Sequence, residues 1–538
     1  MSPGELIFHF LNTVVLTALV ASGVLWRYRV DVLAGMGSSS GQALGIPAVV
    51  PARTVMPQPP AAGLAWEKQA RRRIALAYLG SVAVPALGLA VLQLHVGNLP
   101  QTPAHVMLVG GSLLLAAVPM IAVSLALRFR QAVGLGLGVL IACAVLGTGL
   151  SMLQRPFMGG RPSLDQLLNF FTFFHFAAVW LPFPLTLIVL TGHARIRGVA
   201  PITFAGLLLF GLAPLLGARA SAWLATTPDG SRILLDIGLN AVFMALALPA
   251  ALLGWWRLQG LAGAYQAKRF SDAQLLARTW WLLFCAALAL ELINAAPARW
   301  PLVLAGCVAA YALFPWLNGV LLARAIGRHD RPPCRTLLLL RVFGYTARTE
   351  KLFDRVGARW RLFGPVTMIA APDVMARTID PGDFLRFAGG RLASSFVTSR
   401  ADLNTGLATL DQTPDPDGRY RVNEFCCRDD TWKATVVELM DRADVILMDL
   451  RGLTPTRGGC EFELKQLNER LPANRVVLVV DSEAVVAQVA ALMSRLPVIV
   501  RFDKGSATET ETLFAALLRA AELLPALVGT EDLAIVEI

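Results

Sequence analysis

Residues 443–467 read ADVILMDLRGLTPTRGGCEFELKQL, and this stretch decides the fold of the C-terminal third of the chain. An apolar run ends at Asp449, a polar loop follows, and a helical pattern opens near Gly459 and carries Glu463. A continuous Val/Ile/Leu run followed by a helix is typical of a buried strand in a parallel α/β sheet. Ligands of such sheets bind beyond the carboxyl ends of the strands. The stretch therefore predicts both a fold and the place of a ligand site.

The same alternation of short apolar runs and helical patterns continues through residues 333–538. It predicts a flavodoxin-like α/β domain with a parallel sheet covered by helices on both faces. The predicted strands are 336–343, 365–370, 444–449, 475–480 and 497–502. The predicted helices between them are 347–361, 430–442, 459–470, 482–494 and 509–524. Residues 381–425 have weak periodicity and are predicted to form an irregular insertion.

Residues 1–332 have a different character. Of all 538 residues, 55% are hydrophobic and 16% charged, with a mean hydropathy of +0.58. Ordinary soluble domains carry about 25% charged residues, so the composition excludes a purely cytosolic enzyme and a disordered protein. A helix needs about 20 apolar residues to cross a bilayer. Nine runs are long enough or nearly so and predict a transmembrane domain: 6–26, 74–94, 106–127, 131–153, 167–190, 199–217, 233–256, 279–295 and 300–323.

Charge is distributed unevenly along the chain. Residues 1–332 hold 23 Lys/Arg against 9 Asp/Glu, whereas residues 333–538 hold 25 against 28. One alternate set of loops carries fifteen Lys/Arg and the other carries five. This bias predicts that the N-terminus lies outside and the C-terminal domain in the cytoplasm. The loop 27–73, rich in Gly, Ser, Ala and Pro, is typical of a flexible tether. Eight spans remain an alternative to nine.

Several functions are excluded from the C-terminal third. All six histidines precede residue 330, so that region has no histidine base and no histidine metal ligand. Seven scattered cysteines without a Cys-x-x-Cys pair indicate a reducing compartment and predict no metal site. The sequence also lacks a Walker-A motif. The slight negative balance of this region gives no basis for a nucleic-acid partner.

The loop after Asp449 has the chemistry of a nucleotide site. We expect its charged residues and the glutamate of the following helix to converge at one sheet edge: Asp449, Arg451, Arg457 and Glu463. Gly458 and Gly459 would let the backbone and the free N–H groups of a helix start approach an anion. An arginine offers planar donors to a phosphate. A carboxylate at position 463 could hold ribose hydroxyls or stabilise an oxocarbenium-like sugar while an N-glycosidic bond breaks.

A family resemblance is carried by these residues. Cys460-x-x-Glu463-Leu464 after a strand and a polar loop looks like the W-C-x-x-E-L segment of Toll/interleukin receptor (TIR) domains. Gly459-x-x-x-Glu463 after ADVILMD is also similar to a segment of nucleoside 2-deoxyribosyltransferases. The resemblance covers about 336–525, places Phe343 and Tyr345 at the ligand, and implies that Glu463 is catalytic. As a whole, the layout resembles a class of bacterial inner-membrane proteins with a TIR-like cytoplasmic domain.

Three hypotheses follow. The first is a membrane-anchored sensor or effector whose domain binds NAD or a related nucleotide and cleaves it as an N-glycosidase, with no cofactor required. The second is a non-catalytic signalling module. The third is a transporter with a regulatory domain, which would depend on His175, Asp236 or Glu291. The expected partners are the lipid bilayer and a nucleotide-type small molecule, and a homo-oligomer is left open.

Overall fold

The structure is a computed structural model that divides into two compact units. One comprises Met1–Trp26, Arg72–Ala325 and Ile379–Gly389; the other comprises Arg27–Arg71, Ile326–Thr378 and Gly390–Ile538. The second unit therefore begins a few residues before the predicted boundary at 333 and also includes the segment 27–71. The described residues are 26–35, 43–49, 63–125, 134–138, 141–142, 224, 226–237, 249, 256, 260–327, 331–341, 347–370, 386–387, 389–453, 458–503, 505–523 and 535–536.

The first unit is helical where it is described. Its helices, the first of which begins in the second unit, are α1 (Gly63–Val96), α2 (Pro103–Leu113), α3 (Ala117–Ser124), α4 (Pro228–Ile237), α5 (Asp272–Ala295) and α6 (Trp300–Ile326). Within the described ranges, three helical segments are long and apolar enough to cross a membrane: Gly63–Val96, Asp272–Ile293 and Pro297–Ile326. This property rests on their length and composition alone.

Three of the predicted spans, 74–94, 279–295 and 300–323, fall within the helices α1, α5 and α6, respectively. The run 106–127 is interrupted, because the 3-10 turn Leu114–Ala116 separates α2 from α3. Only short pieces of 131–153 and 233–256 are described. The runs 167–190 and 199–217, and all but the last residue of 6–26, lie outside the described residues.

Buried polar side chains connect helices of this unit. Gln274 donates from Nε2 to Oδ1 of Asn318 at 3.2 Å, and Asn318 donates from Nδ2 to Oγ of Ser81 at 3.3 Å. These bonds join α5, α6 and α1, and all three side chains are buried. Because buried polar groups are costly unless they are paired, the network favours one alignment of the three helices.

The second unit contains an eight-stranded, all-parallel sheet. Its strands are β1 (Leu337–Arg341), β2 (Val366–Ala370), β3 (Phe396–Val397), β4 (Val422–Cys427), β5 (Val445–Asp449), β6 (Val476–Val480), β7 (Val498–Arg501) and β8 (Ile535–Val536). Their spatial order is β3-β4-β2-β1-β5-β6-β7-β8. The helices are α7 (Ala347–Trp360), α8 (Arg400–Ala408), α9 (Trp432–Arg442), α10 (Gly458–Arg470), α11 (Glu483–Leu492) and α12 (Ala507–Ala520).

The α/β prediction is confirmed at the level of fold class. The five predicted strands match β1, β2, β5, β6 and β7 to within two residues. Strands β5 and β6 are buried along their whole length, as continuous apolar runs require in a sheet covered on both faces. The central order β2-β1-β5-β6-β7 is that of a flavodoxin-like sheet.

The prediction of an irregular insertion at 381–425 was wrong in part. This region contains β3, α8 and the start of β4, and β4 extends the sheet beyond β2 in parallel register. The first half of β4 is only half-buried, and β3 has only two residues. Neither strand therefore produces the continuous apolar run from which a central strand is recognised.

The prediction of a flexible tether at 27–73 was also wrong for its described parts. Residues 26–35 are helical, and α1 begins at Gly63, ahead of the basic cluster formed by Lys68 and Arg71–Arg73. The side chain of Glu67 is completely buried and forms an ion pair with Arg359 of α7. Tertiary contacts thus order parts of a segment whose composition is typical of a linker.

Candidate functional site

The strand order of the sheet reverses between β1 and β5. Strand β1 pairs with β2 on one side and with β5 on the other, so the connections leave the sheet in opposite directions at this point. In parallel α/β sheets the crevice beyond such a reversal is the usual ligand site. The last residues of the two strands, Arg341 and Asp449, are paired in register. Two oppositely charged side chains therefore stand at the position where a ligand is expected.

Glu463 lies on the buried face of α10, the helix that follows β5. It shares that face with Cys460, Leu464 and Leu467, the spacing of an apolar helical stripe. The residue is 3% exposed, and within the described part of the chain its Oε2 has no hydrogen-bond partner. A carboxyl in a position that the pattern assigns to an apolar residue is a local conflict between fold and sequence. Such conflicts concentrate at functional sites.

Burial changes the acid–base chemistry of this carboxyl. Desolvation raises the pKa of Glu463 to about 8, and the opposing charge of Arg341 lowers it by a smaller amount. At neutral pH the side chain is therefore mostly protonated, and it can donate as well as accept a hydrogen bond. A strongly perturbed carboxyl at a switch point is a candidate functional group.

Asp449 and Arg451 bind each other. Nε and Nη2 of Arg451 each donate to a carboxylate oxygen of Asp449 at 2.8 Å, in a bidentate ion pair. The guanidinium also lies 5.1 Å from the ring centre of Phe502. Both predicted ligand residues are thus at the expected edge, where they form a closed pair. A ligand would meet the outer edge of this pair or displace it.

The remaining predicted ligand residues divide into two groups. Gly458 and Gly459 lie in the first turn of α10, so N–H groups that have no partner within the helix lie near the site. Arg457, Phe343 and Tyr345 lie outside the described residues. The three residues of the transporter hypothesis are described only in part. Glu291 is exposed on α5, the side chain of Asp236 is not described, and His175 lies outside the described part of the chain.

Sequence reasoning missed three residues of this edge: Arg341, Phe502 and Asp481. The carboxylate of Asp481, which follows β6, accepts a bond from the backbone N–H of Gly452 at 3.2 Å and so steadies the loop after β5. Each of the three lies at or just after the carboxyl end of a strand, and this position could have marked it as a candidate in the sequence. Which strand ends lie next to each other, however, is known only from the strand order.

Comparison of the chain with protein-family models, with curated proteins and with solved structures gave no match.

Proposed function

We propose that the chain is an integral membrane protein whose cytoplasmic, TIR-like α/β domain binds a nucleotide-type ligand at the edge formed by β1, β5 and the start of α10. The observation that carries the proposal is the buried carboxyl of Glu463 at the reversal point of the sheet. A purely structural role gives no reason for an acid in a stripe that Cys460, Leu464 and Leu467 otherwise keep apolar. A ribose, with its vicinal hydroxyls, offers the donors and acceptors that such a carboxyl lacks.

The chemistry that suits this arrangement is hydrolysis of an N-glycosidic bond, with NAD as the leading substrate. The bond from the ribose C1′ to the base nitrogen breaks, and the electron pair leaves with the nitrogen. A water oxygen then bonds to C1′ and releases its proton to solvent. Glu463 in its charged form would stabilise the cationic sugar between these events. The rate should therefore rise with pH through the pKa of about 8.

Two features support the membrane location and its orientation. The three long apolar helical segments have the length and hydropathy of spans. The segment 27–71, which carries five of the fifteen Lys/Arg of its set of loops, belongs to the same compact unit as the α/β domain. A cytoplasmic location of both agrees with the positive-inside rule.

The second candidate, a non-catalytic interaction module, is favoured by one observation. In this structure Glu463 is almost fully covered and Asp449 is already paired with Arg451, so no charged group of the predicted site points freely to solvent within the described residues. An edge closed in this way suits a domain that relays a signal through partner contacts without turnover.

The experiment that separates these functions uses the full-length protein in lipid nanodiscs with NAD. We expect release of nicotinamide that falls at least a hundredfold in Glu463→Ala and in Glu463→Gln. The control is Glu461→Gln on the same helix, where an exposed pair with Lys465 is lost and activity should stay within about twofold.

Wild-type protein that binds NAD without releasing nicotinamide would exclude the catalytic step and favour the module. If the wild-type protein neither binds nor cleaves any nicotinamide nucleotide or adenine nucleotide, the proposal as a whole is overturned.

A further inference from the structure

The segment 27–71, which we call the strap, lies against the α/β domain at three places. Its described parts are residues 27–35, residues 43–49 and residues 63–71 at the start of α1. Tyr28 and Val32, one helical turn apart, are fully buried. The strap belongs to the same compact unit as the sheet.

The first contact is at Gly35. Its carbonyl accepts a bond from Nε of Arg428 at 3.4 Å. A Cβ built on Gly35 would lie 2.7 Å from the ring of Phe396, the first residue of β3. A side chain at position 35 would force this ring to move, so glycine lets the backbone of the strap lie close to it.

The second contact joins the strap to the turn before α9 and to α10. The backbone N–H of Leu44 donates to the carbonyl of Asp430 at 3.2 Å. The guanidinium of Arg470, on α10, donates to the carbonyls of Pro47 at 2.5 Å and Ala48 at 3.3 Å. Its side chain is 2% exposed and also forms an ion pair with Asp441 at 3.0 Å.

The third contact is an ion-pair cluster at the start of α1. Nε and Nη2 of Arg359 donate to the two carboxylate oxygens of Glu67 at 3.2 and 2.9 Å. Arg359 also pairs with Glu511 of α12 at 3.1 Å and lies 3.9 Å from the ring centre of Phe514. This cluster attaches the first turns of α1, which belong to the second unit, to two helices of the α/β domain.

These contacts bear on the site because Arg470 and Glu463 share the buried face of α10. They are seven residues apart, which is two turns or about 10 Å along a rigid helix. We propose that the strap is autoinhibitory: seated on Arg470, it holds α10 in the position that buries Glu463, and its release lets α10 move and opens the carboxyl to a ligand. The identity of that ligand rests on the proposed function, but the opening of α10 does not.

The test displaces the strap without altering the α/β domain. Gly35→Leu places a side chain against Phe396, whereas the matched control Gly45→Leu adds one where a Cβ meets nothing within 4 Å. The ligand-independent readout is the alkylation rate of Cys460, fully buried on α10, measured by peptide mass spectrometry on the full-length protein. We expect at least a tenfold rise in Gly35→Leu and no change in Gly45→Leu. Cys426 of β4, also fully buried, should stay slow and thereby exclude global unfolding.

If both cysteines react faster in Gly35→Leu, the milder variant Arg470→Lys shows whether release of the strap alone exposes Cys460. It keeps a charge beside Asp441 but loses the planar fork that binds two carbonyls. An unchanged Cys460 rate in Arg470→Lys, with rapid amide exchange at 43–49, would overturn the inference. Faster Cys460 reaction together with several-fold faster nicotinamide release supports both proposals. Faster Cys460 reaction without NAD binding or cleavage in any variant supports the strap and overturns the proposed ligand.

Discussion

At the scale of single residues, Glu463 is the most informative side chain in the chain. A buried carboxyl with an unpaired oxygen costs free energy of folding, and selection for stability alone would replace it. Arg341 is paired in register with Asp449, and Asp449 forms an ion pair with Arg451, so the site combines one neutral acid with charged groups of both signs. On the proposed function, Glu463 would change charge when a ligand binds.

The pH dependence of stability provides a direct test of this state. The folded pKa of Glu463 is about 8, against an ordinary value of 4.5. Between these values the folded protein holds a proton that the unfolded chain has lost, so this group makes stability fall as pH rises and level off above about 8. The full loss corresponds to about 5 kcal/mol. Glu463→Gln cannot titrate and should escape it.

We therefore expect the melting temperature of Glu463→Gln, minus that of wild type, to increase from pH 5 to pH 9. Thermal unfolding of both proteins in the same detergent measures the difference, and titrations elsewhere in the chain cancel. A difference that stays constant with pH would show that the carboxyl keeps its ordinary pKa.

At the scale of elements, close packing between helices and strands explains where α7 ends and β2 begins. A Cβ on Gly364, in the turn between them, would lie 1.9 Å from the carbonyl oxygen of Arg335, just before β1. The turn is also held by the indole of Trp360, which donates to the same carbonyl at 3.0 Å. Gly357, inside α7, has no such neighbour within 4 Å. Gly364 is thus required by close packing, whereas Gly357, seven residues earlier, is not.

We predict that Gly364→Ala lowers the free energy of unfolding by more than about 2 kcal/mol, because the backbone of β1 or of the turn must shift. Gly357→Ala should raise it by about 0.5–1 kcal/mol through helix propensity. Denaturant unfolding followed by tryptophan fluorescence distinguishes the two variants. Equal effects of the two substitutions would contradict the packing argument.

At the scale of the whole molecule, one chain combines an apolar helical unit with a parallel α/β unit, and the strap is part of the latter. The proposed topology requires the strap and the C-terminal domain to be on the same side of the membrane. It also requires the N-terminus to be on the other side, with an odd number of spans.

Reporter fusions test this arrangement. A reporter that is active only in the cytoplasm should be active after residue 538 and when inserted near Gly45, and inactive at the N-terminus. The reverse reporter, active only outside, should give the opposite result. Activity of one reporter at both termini would indicate an even number of spans and would exclude the nine-span topology.

The sequence by itself indicated an apolar helical unit and determined the α/β class of the other unit. Nine apolar runs and the loop charges predicted a membrane half, and three of those runs lie in helices of sufficient length. Continuous apolar runs also located β1, β2, β5, β6 and β7, because burial on both faces leaves a local signal that no neighbouring element needs to complete.

Only the tertiary structure decided what each charge meets. Glu67 and Arg359 are 292 positions apart, and Arg470 and Pro47 are 423 apart. The pattern could place Glu463 on α10, but it could not show that the carboxyl is buried or that the charge of Arg341 lowers its pKa. It also could not show that the segment predicted to be a tether binds Arg470 on the same helix. The physical reason is that hydrophobic periodicity reports only whether a residue faces inward. Desolvation, pairing and pKa depend on which distant groups fill the space around it.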